Sequence, residues 1–198
     1  MKTRIVIVLF ILTASKVYSQ TKNSIALTYG MAANGLFRSA RIDGAGGAEG
    51  KGATIYGIKY SKNLNNSFSI QTGLEYSFNK IETTPAPNPG IDRTPTKATI
   101  KMLSVPVYWD YTFARVLFVN AGLIVDVETN RSENKELSAD NQSGIGLGFG
   151  VGGKYTFKKM SVFVNPFFQN HAVMPFKEEI QQQRLLETGV KCGIGYNF

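Results

Sequence analysis

Apolar and polar residues alternate with a period of two along most of the chain. Between residues 186 and 198, every second residue is apolar or threonine, and the intervening residues are polar, charged or glycine. Residues 144–157 repeat this alternation, with glycine at most positions of the second face. Such alternation indicates β-strands with one apolar face, and helical periodicity is hard to find beyond the N-terminus. The pattern therefore predicts an all-β protein.

Eight segments carry this alternation in a strong or weak form. They are residues 24–31, 53–61, 67–78, 100–113, 117–128, 144–157, 160–169 and 186–198. Alternation alone would also fit a soluble sandwich whose apolar face forms the core. Many segments, however, exceed the usual ~5–6 residues of soluble strands and approach the ~9–11 that a tilted transmembrane strand requires. Strand length therefore favours a membrane barrel.

Short and long connections alternate between the predicted strands. The short ones are residues 62–66, 114–116 and 158–159, and the long polar ones are residues 32–52, 79–99, 129–143 and 170–185. Bacterial barrels have short periplasmic turns and longer extracellular loops. A chain that starts and ends on the periplasmic side needs an even number of strands. We therefore expect an eight-stranded antiparallel up-and-down transmembrane β-barrel.

Aromatic residues recur where the predicted strands approach the short turns or the C-terminus. Aromatic rings favour the membrane–water interface, which serves both an apolar body and a polar edge. We therefore expect an outward-facing periplasmic girdle of Tyr60, Tyr111, Phe113, Tyr155, Phe157, Tyr196 and Phe198.

The N-terminus has the layout of a secretory signal. Lys2 and Arg4 form a basic start, residues 5–12 are apolar, and small residues precede a cleavage position after Ser19. The apolar run is much shorter than the ~20 residues of a membrane-spanning helix. We expect residues 1–19 to be a cleaved signal peptide and residues 20–198 to form an outer-membrane barrel domain.

Composition narrows the possible chemistry. The single cysteine, Cys192, cannot form a disulfide within the chain or a thiol zinc site. The formal net charge is +8, but the basic residues are scattered and no nucleic-acid-binding motif is present. The glycine-rich run at residues 144–153 lacks the helix and lysine of a phosphate-binding loop. We therefore predict no catalytic, cofactor or metal site and no nucleic-acid partner.

Strand parity turns a group of charged residues toward the barrel interior. An eight-stranded barrel is just wide enough to be filled by side chains, and buried charges require partners. We predict a structural plug of ion pairs, with a gated ion path or proton relay as the alternative. The predicted lumen network comprises Lys59, Glu75, Asp110, Asp126, Lys154, Glu187 and Lys191, with Tyr108 also facing inward.

His171 bears on a possible enzymatic role because it is the only histidine. A histidine-dependent hydrolase on this barrel would have to use it, and the sequence places it at the rim of the last long loop. Such enzymes also need a serine, a base and an orienting carboxylate close together. No nucleophile motif surrounds any serine, so we predict that the protein is not an enzyme.

The run MLSVPVYWDY at residues 102–111 resembles the leucine–x–isoleucine/valine–proline strand, ending in tyrosine, of the PorT-like outer-membrane β-barrel family common in Bacteroidetes. The resemblance spans the predicted mature chain and includes the glycine-rich sixth strand and the aromatic C-terminus. It implies the barrel fold and the outer membrane more firmly than any activity. The terminal Phe198, with alternate apolar residues before it, also resembles the signal recognised by the barrel-insertion machinery, which is thus an implied partner.

Four functions remain open at this point. The expected one is a non-enzymatic surface barrel in outer-membrane lipid whose loops bind an extracellular partner, or whose body supports the envelope. A component of a secretion or transport assembly and a lipid-acting enzyme are alternatives. The fourth is a soluble lipocalin-like barrel with reversed parity, which would place Phe149, Val151 and Tyr155 inside.

Overall fold

The computed structural model of the chain describes residues 23–38, 47–85, 94–114, 116–130, 141–177 and 183–198. The predicted signal peptide lies outside these residues. No helix long and apolar enough to cross a membrane occurs in the described part of the chain.

Eight antiparallel strands form a closed ring, which confirms the predicted fold class. Each strand pairs with its neighbour in sequence, and β1 closes the ring by pairing with β8. The strands are β1 (Asn23–Arg38), β2 (Gly47–Asn63), β3 (Phe68–Thr84), β4 (Thr96–Phe113), β5 (Leu117–Glu128), β6 (Gly144–Phe157), β7 (Met160–Pro175) and β8 (Gln183–Asn197).

Several strands are longer than the alternation predicted, and the long loops are correspondingly shorter. At the end opposite the termini, β3 continues to Thr84 and β4 begins at Thr96, inside the segment expected to be a loop. Strands β1, β2, β7 and β8 also extend into predicted loops. The apolar pattern stops where the wall leaves the membrane, but the backbone ladder continues because its hydrogen bonds do not require apolar side chains. The loop boundaries predicted from the sequence were therefore wrong.

The two faces of the wall differ as the alternation indicated. Phe149 and Val151 of β6 are 52% and 44% exposed on the outer surface, while Gly148 and Gly150 face inward. The outer surfaces of the other strands also carry exposed apolar side chains, including Leu27, Leu74, Trp109, Leu123, Val164 and Ile194. A continuous apolar belt on a closed barrel is the surface that lipid covers in bacterial membrane barrels. It is incompatible with the reversed parity of a lipocalin-like barrel.

Two irregularities interrupt the ladder near the end opposite the termini. The β2–β3 register shifts between Gly50 and Ala53, and Gly52 adopts a φ of 98° there. The β6–β7 register shifts between Ile145 and Leu147, opposite Ala172, whose φ is 47°. Bulges of this kind re-aim neighbouring side chains. The second bulge comes directly after His171, and the two consecutive residues His171 and Ala172 are therefore both buried.

Pro106 and Pro166 lie within strands and leave the register of their pairing unchanged. The β3–β4 pairing keeps the same offset on both sides of Pro106, and the β6–β7 pairing does so around Pro166. Each proline pairs in register with the strand on its other side. The N–H group that each proline lacks therefore removes one hydrogen bond of the ladder without shifting the register.

Candidate functional site

The barrel interior is the candidate site, and an apolar cluster forms its level nearest the termini. Ala26, Phe118 and Phe163 are buried together there. The Phe118 ring occupies space beside Gly152, where a Cβ atom would lie 2.6 Å from the ring. Gly193 makes room for Phe163 in the same way. These three side chains form the lower apolar cluster, and the glycines opposite them allow it to fill the narrow lumen.

A charged layer lies directly above the lower apolar cluster. Lys191 Nζ donates a hydrogen bond of 2.7 Å to Glu75 Oε2 and lies 4.4 Å from the centre of the Phe167 ring. Lys59 Nζ lies 3.5 Å from the centre of the Phe163 ring. Lys191 therefore combines an ion pair with a cation–π contact, and Lys59 makes a cation–π contact; both kinds of interaction strengthen when water is excluded.

Tyr108 crosses the middle of the lumen. Its hydroxyl accepts a hydrogen bond of 2.8 Å from Gln169 Nε2. A Cβ atom at Gly148 would approach this hydroxyl to 2.1 Å, so the side chain fits only because residue 148 is glycine. A residual cavity of about 30 Å³ remains beside Lys59, Glu75 and Tyr108. A space of this size admits one or two water molecules and no organic ligand.

His171 lies between two carboxylates at the next level. Its Nδ1 is 3.0 Å from Asp126 Oδ2 and its Nε2 is 3.5 Å from Glu187 Oε2. Asp126 also accepts a 2.6 Å hydrogen bond from Ser104, and Glu187 accepts one of 2.7 Å from Asn79. Both ring nitrogens face carboxylates, an arrangement that suits an imidazolium because it can donate from each. We call His171, Asp126 and Glu187 the histidine triad of the lumen.

A second apolar cluster closes the interior above the histidine triad. It consists of Ile81, Ile100, Met102 and Leu185, all of which are almost completely buried. Beside it, the Gln142 side chain accepts a hydrogen bond from Leu185 N and donates one to Gln183 O. We call Ile81, Ile100, Met102 and Leu185 the upper apolar cluster. Among the described residues, the charged layer and the histidine triad thus lie between two apolar levels.

The sequence predicted the position of His171 incorrectly. It lies in β7 with 2% of its surface exposed, not at an accessible loop rim. Continuing the inward parity of β7 by one more inward position, two residues beyond Gln169, would have located it. Its carboxylate partners cannot be identified that way, because they depend on the register of β5 and β8.

The remaining residues of the predicted lumen network have weaker contacts. Asp110 is buried and accepts a 3.4 Å hydrogen bond from Ser69, while Lys154 is half-buried near the end of β6. The structure thus joins Lys191 to Glu75, and Asp126 to Glu187 through His171, as two separate groups. Sequence reasoning missed Asn79, Ser104 and Gln169, which are uncharged and inconspicuous in the alternation.

The geometry of the histidine triad is unsuited to nucleophilic catalysis. The Ser104 hydroxyl donates to Asp126 and not to the His171 ring, so no nucleophile–base pair is formed there. All three residues of the triad are buried, which leaves no room for a substrate. Within the described ranges, no group of three or more His, Cys, Asp or Glu side chains is arranged to hold a metal ion.

The predicted aromatic girdle lies on the outer surface, near the strand ends that contain the termini. All seven residues have exposed side chains. Phe68 packs against Tyr111 at this level, with 4.9 Å between ring centres. Toward the other end, Tyr29, Tyr56, Tyr76 and Phe78 form a second outward group, in which successive rings are 5.0–6.4 Å apart. We call this group the upper aromatic cluster.

Closed antiparallel topology, an apolar outer belt and a filled interior together define an eight-stranded transmembrane β-barrel of the outer-membrane type. The predicted location in the outer membrane agrees with these features. The fold is similar to that of the outer membrane protein OprG from Pseudomonas aeruginosa, with a TM-score of 0.53 and 13% identity over 89% of this chain and 95% of OprG.

Two further solved structures show similarity of lower score. The outer membrane protein AlkL aligns with a TM-score of 0.49 and 11% identity over 93% of each chain. Neisserial surface protein A aligns with a TM-score of 0.48 and 13% identity over 91% of this chain and all of its own. No protein-family model matches the chain, and no curated protein matches it in sequence. The PorT-like resemblance therefore stays a prediction.

Proposed function

We propose that this protein is a non-enzymatic outer-membrane barrel whose interior is a structural plug and whose extracellular wall and loops provide the binding surface. The observation that carries the proposal is the filled lumen, in which the charged layer and the histidine triad lie between two apolar clusters. Ions crossing this interior would have to displace paired charges and pass two apolar levels, each of which is costly.

Conductance measurements test the plug. The purified full-length protein, reconstituted in planar bilayers, is expected to show no steady channel at moderate voltage. Gly substitutions of Met102 and Phe163, which remove a large side chain from each apolar cluster, are expected to produce transient openings. Steady ion conduction by the wild type would contradict the proposal and favour the gated-path alternative.

The extracellular part of the wall supports the second half of the proposal. Strands β2, β3 and β4 extend past the upper aromatic cluster, so a rigid sheet carries the adjoining loops. Binding residues are commonly held on loops positioned by such a scaffold. Photo-crosslinking residues are placed at Thr84 and, as a control, at Asn65 in a short turn. The positions of the crosslinks then distinguish binding on the extracellular side from binding on the periplasmic side.

A role in a secretion or transport assembly, which the PorT-like resemblance suggests, predicts the opposite crosslinking result. Assembly with periplasmic components should give protein crosslinks from Asn65 in whole cells, whereas external binding should give them from Thr84. Crosslinks confined to Asn65 would contradict the surface-binding proposal. A different assay addresses the enzymatic alternative. Lipid A hydrolysis by the wild type that is lost in His171→Gln, but retained in a folded variant changed elsewhere, would support a barrel enzyme.

A further inference from the structure

Lys59 is held in the barrel interior without a carboxylate in contact with its ammonium group. Its Nζ lies 3.5 Å from the centre of the Phe163 ring, and among the described contacts it forms no ion pair and donates no hydrogen bond. An ammonium group carries three N–H donors, and a charge taken out of water is costly when it has no partner. The side chain therefore requires both an acceptor and a counter-charge.

The charges around Lys59 do not supply that counter-charge. The side chains whose charges act on it are Asp110, Lys154, Glu75 and Lys191. Two of these are positive and two are negative, so the group as a whole keeps one excess positive charge when Lys59 is included. The carboxylates of the histidine triad are engaged by its own imidazole ring at the next level of the lumen.

The cavity of about 30 Å³ beside Lys59 is lined by other polar groups with unused donors. Asn120 is 3% exposed, and its Nδ2 is buried without a hydrogen-bond partner among the described residues. The Tyr108 hydroxyl accepts from Gln169 and keeps its own hydrogen for a second bond. Three different side chains, Lys59, Asn120 and Tyr108, thus bring donors to one small space.

Asn165 lines the same cavity and has a buried Oδ1 without a partner in the described part of the chain. Its Oδ1 and Nδ2 lie 2.6 Å and 3.1 Å from the place where a Cβ of Gly150 would stand, so this glycine makes room for the amide in either orientation. An amide that reverses presents its NH₂ group where its oxygen was. Asn165 therefore adds a further donor when the cavity holds an acceptor.

A water molecule and an anion would satisfy these donors differently. Water would accept a hydrogen bond from Lys59 but would leave the excess positive charge in place. An anion accepts from every donor and also neutralises the charge, and hydrogen bonds to a charged partner are the stronger ones. The volume suits one ion of about the size of a water molecule and excludes organic anions.

From the unpaired ammonium, the excess charge and the convergent donors, we propose that the lumen cavity binds one small monovalent anion of the halide class. The ion is a counter-ion built into the plug and holds Lys59, Asn120 and Asn165 together. This inference concerns the barrel interior and does not depend on what the extracellular loops bind.

Urea unfolding of the full-length protein in lipid vesicles tests the proposal. The probe is chloride, which replaces gluconate at constant ionic strength, because gluconate is too large for the cavity. The first test variant is Lys59→Met, which removes the charge and keeps a long apolar stem. The second is Asn165→Asp, which supplies a fixed carboxylate in place of the ion. The matched control is Lys62→Met, which makes the same substitution on the outward face of the same strand.

A ligand that binds only the folded barrel stabilises it in proportion to its occupancy. For a dissociation constant of about 10 mM, raising chloride from about 1 to about 100 mM should increase the folding equilibrium constant about tenfold. We expect this dependence in the wild type and in Lys62→Met, and its loss in both test variants. In crystals grown with bromide, the anomalous signal should locate the ion beside Lys59 Nζ.

Four outcomes would overturn the proposal. A wild-type unfolding midpoint that ignores chloride would assign the cavity to water. Equal chloride dependence in the wild type and all three variants would show a general salt effect without a site. If Lys59→Met does not fold, Asn165→Asp decides the matter, because chloride dependence retained in that variant contradicts a bound anion. Bromide found only at the protein surface would be an adventitious ion only.

Discussion

The outer and inner faces of the barrel wall are built by alternate residues of the same strands, yet they depend on their residues in different ways. On the outer face of β6, Leu147, Phe149 and Val151 meet lipid and need only be apolar. On the inner face of the same strand, Gly148 is required by the position of a particular ring, that of Tyr108. The side of the wall on which a residue lies is enough to determine the residue types of the outer face. On the inner face, the residue type is determined by particular contact partners.

The difference has an energetic origin. Lipid adapts to any apolar side chain, so exchange among apolar residues on the outer face leaves the environment unchanged. The interior is packed with fixed partners, and an unpaired charge or an extra methyl group there cannot be relieved by solvent. We therefore expect inner substitutions to be costly even when chemically conservative, and outer ones to be costly only when they change polarity.

The largest effect is expected in the histidine triad. His171→Gln leaves Asp126 and Glu187 facing each other without the cation between them, and breaking a buried charge group of this kind costs about 3–5 kcal/mol. The measurement is the urea unfolding midpoint of the barrel in lipid vesicles, followed by heat-modifiable migration.

A rescue variant tests the charge explanation. His171→Gln combined with Asp126→Asn and Glu187→Gln removes the two uncompensated carboxylates while preserving shape, so it should recover more than half of the lost stability. If the triple variant is as unstable as His171→Gln alone, packing and not charge accounts for the loss.

On the outer face, Val151→Arg is expected to have the next largest effect. An arginine on the lipid face near the midplane costs about 2–4 kcal/mol in such barrels, and less toward the interfaces. Val127→Arg, near the extracellular end of β5, is the matched control and should cost about 1 kcal/mol or less. Equal unfolding free energies for the two variants would mean that the assigned membrane position of β6 is wrong.

Substitution on the glycine face of β6 is expected to have a smaller effect on stability. Gly148→Ala would place a methyl group 2.1 Å from the Tyr108 hydroxyl, so the tyrosine must move and its hydrogen bond with Gln169 is disturbed. Overpacking of this kind typically costs about 1–3 kcal/mol. Gly153→Ala is the control, because its nearest neighbour would be 3.9 Å away. Indistinguishable unfolding midpoints would contradict the required fit at residue 148.

The contrast between the faces explains what the sequence could and could not predict. Alternation showed that Val151 faces lipid and that Glu187 faces inward, because facing depends only on parity within one strand. The pairing of Lys191 with Glu75 required the closure of β8 onto β1 and the stagger around the ring, neither of which is encoded locally. His171 was missed because the strand pattern was ended too early, at Gln169.

The extracellular wall was misjudged for a related reason. Residues 79–84 and 96–99 have no apolar face to mark them as strands, but they continue the ladder of strands already formed. The continued ladder depends on the register between strands, and register cannot be read from composition.

The smallest effect on stability is expected at Phe198, although its effect on assembly should be large. Its side chain is exposed on the outer surface, and its backbone N–H donates to Asn23 O irrespective of the side chain. Phe198→Ala should therefore change the unfolding midpoint in lipid vesicles very little, while lowering the amount of barrel inserted by the cellular machinery that reads the last strand. Val190→Ala, on the same face of β8 but away from the terminus, is the matched control for lost apolar surface. Equal accumulation of Phe198→Ala and wild type in the membrane would count against recognition of the terminal aromatic. A large fall in the unfolding midpoint without loss of insertion would instead place its role in the finished barrel.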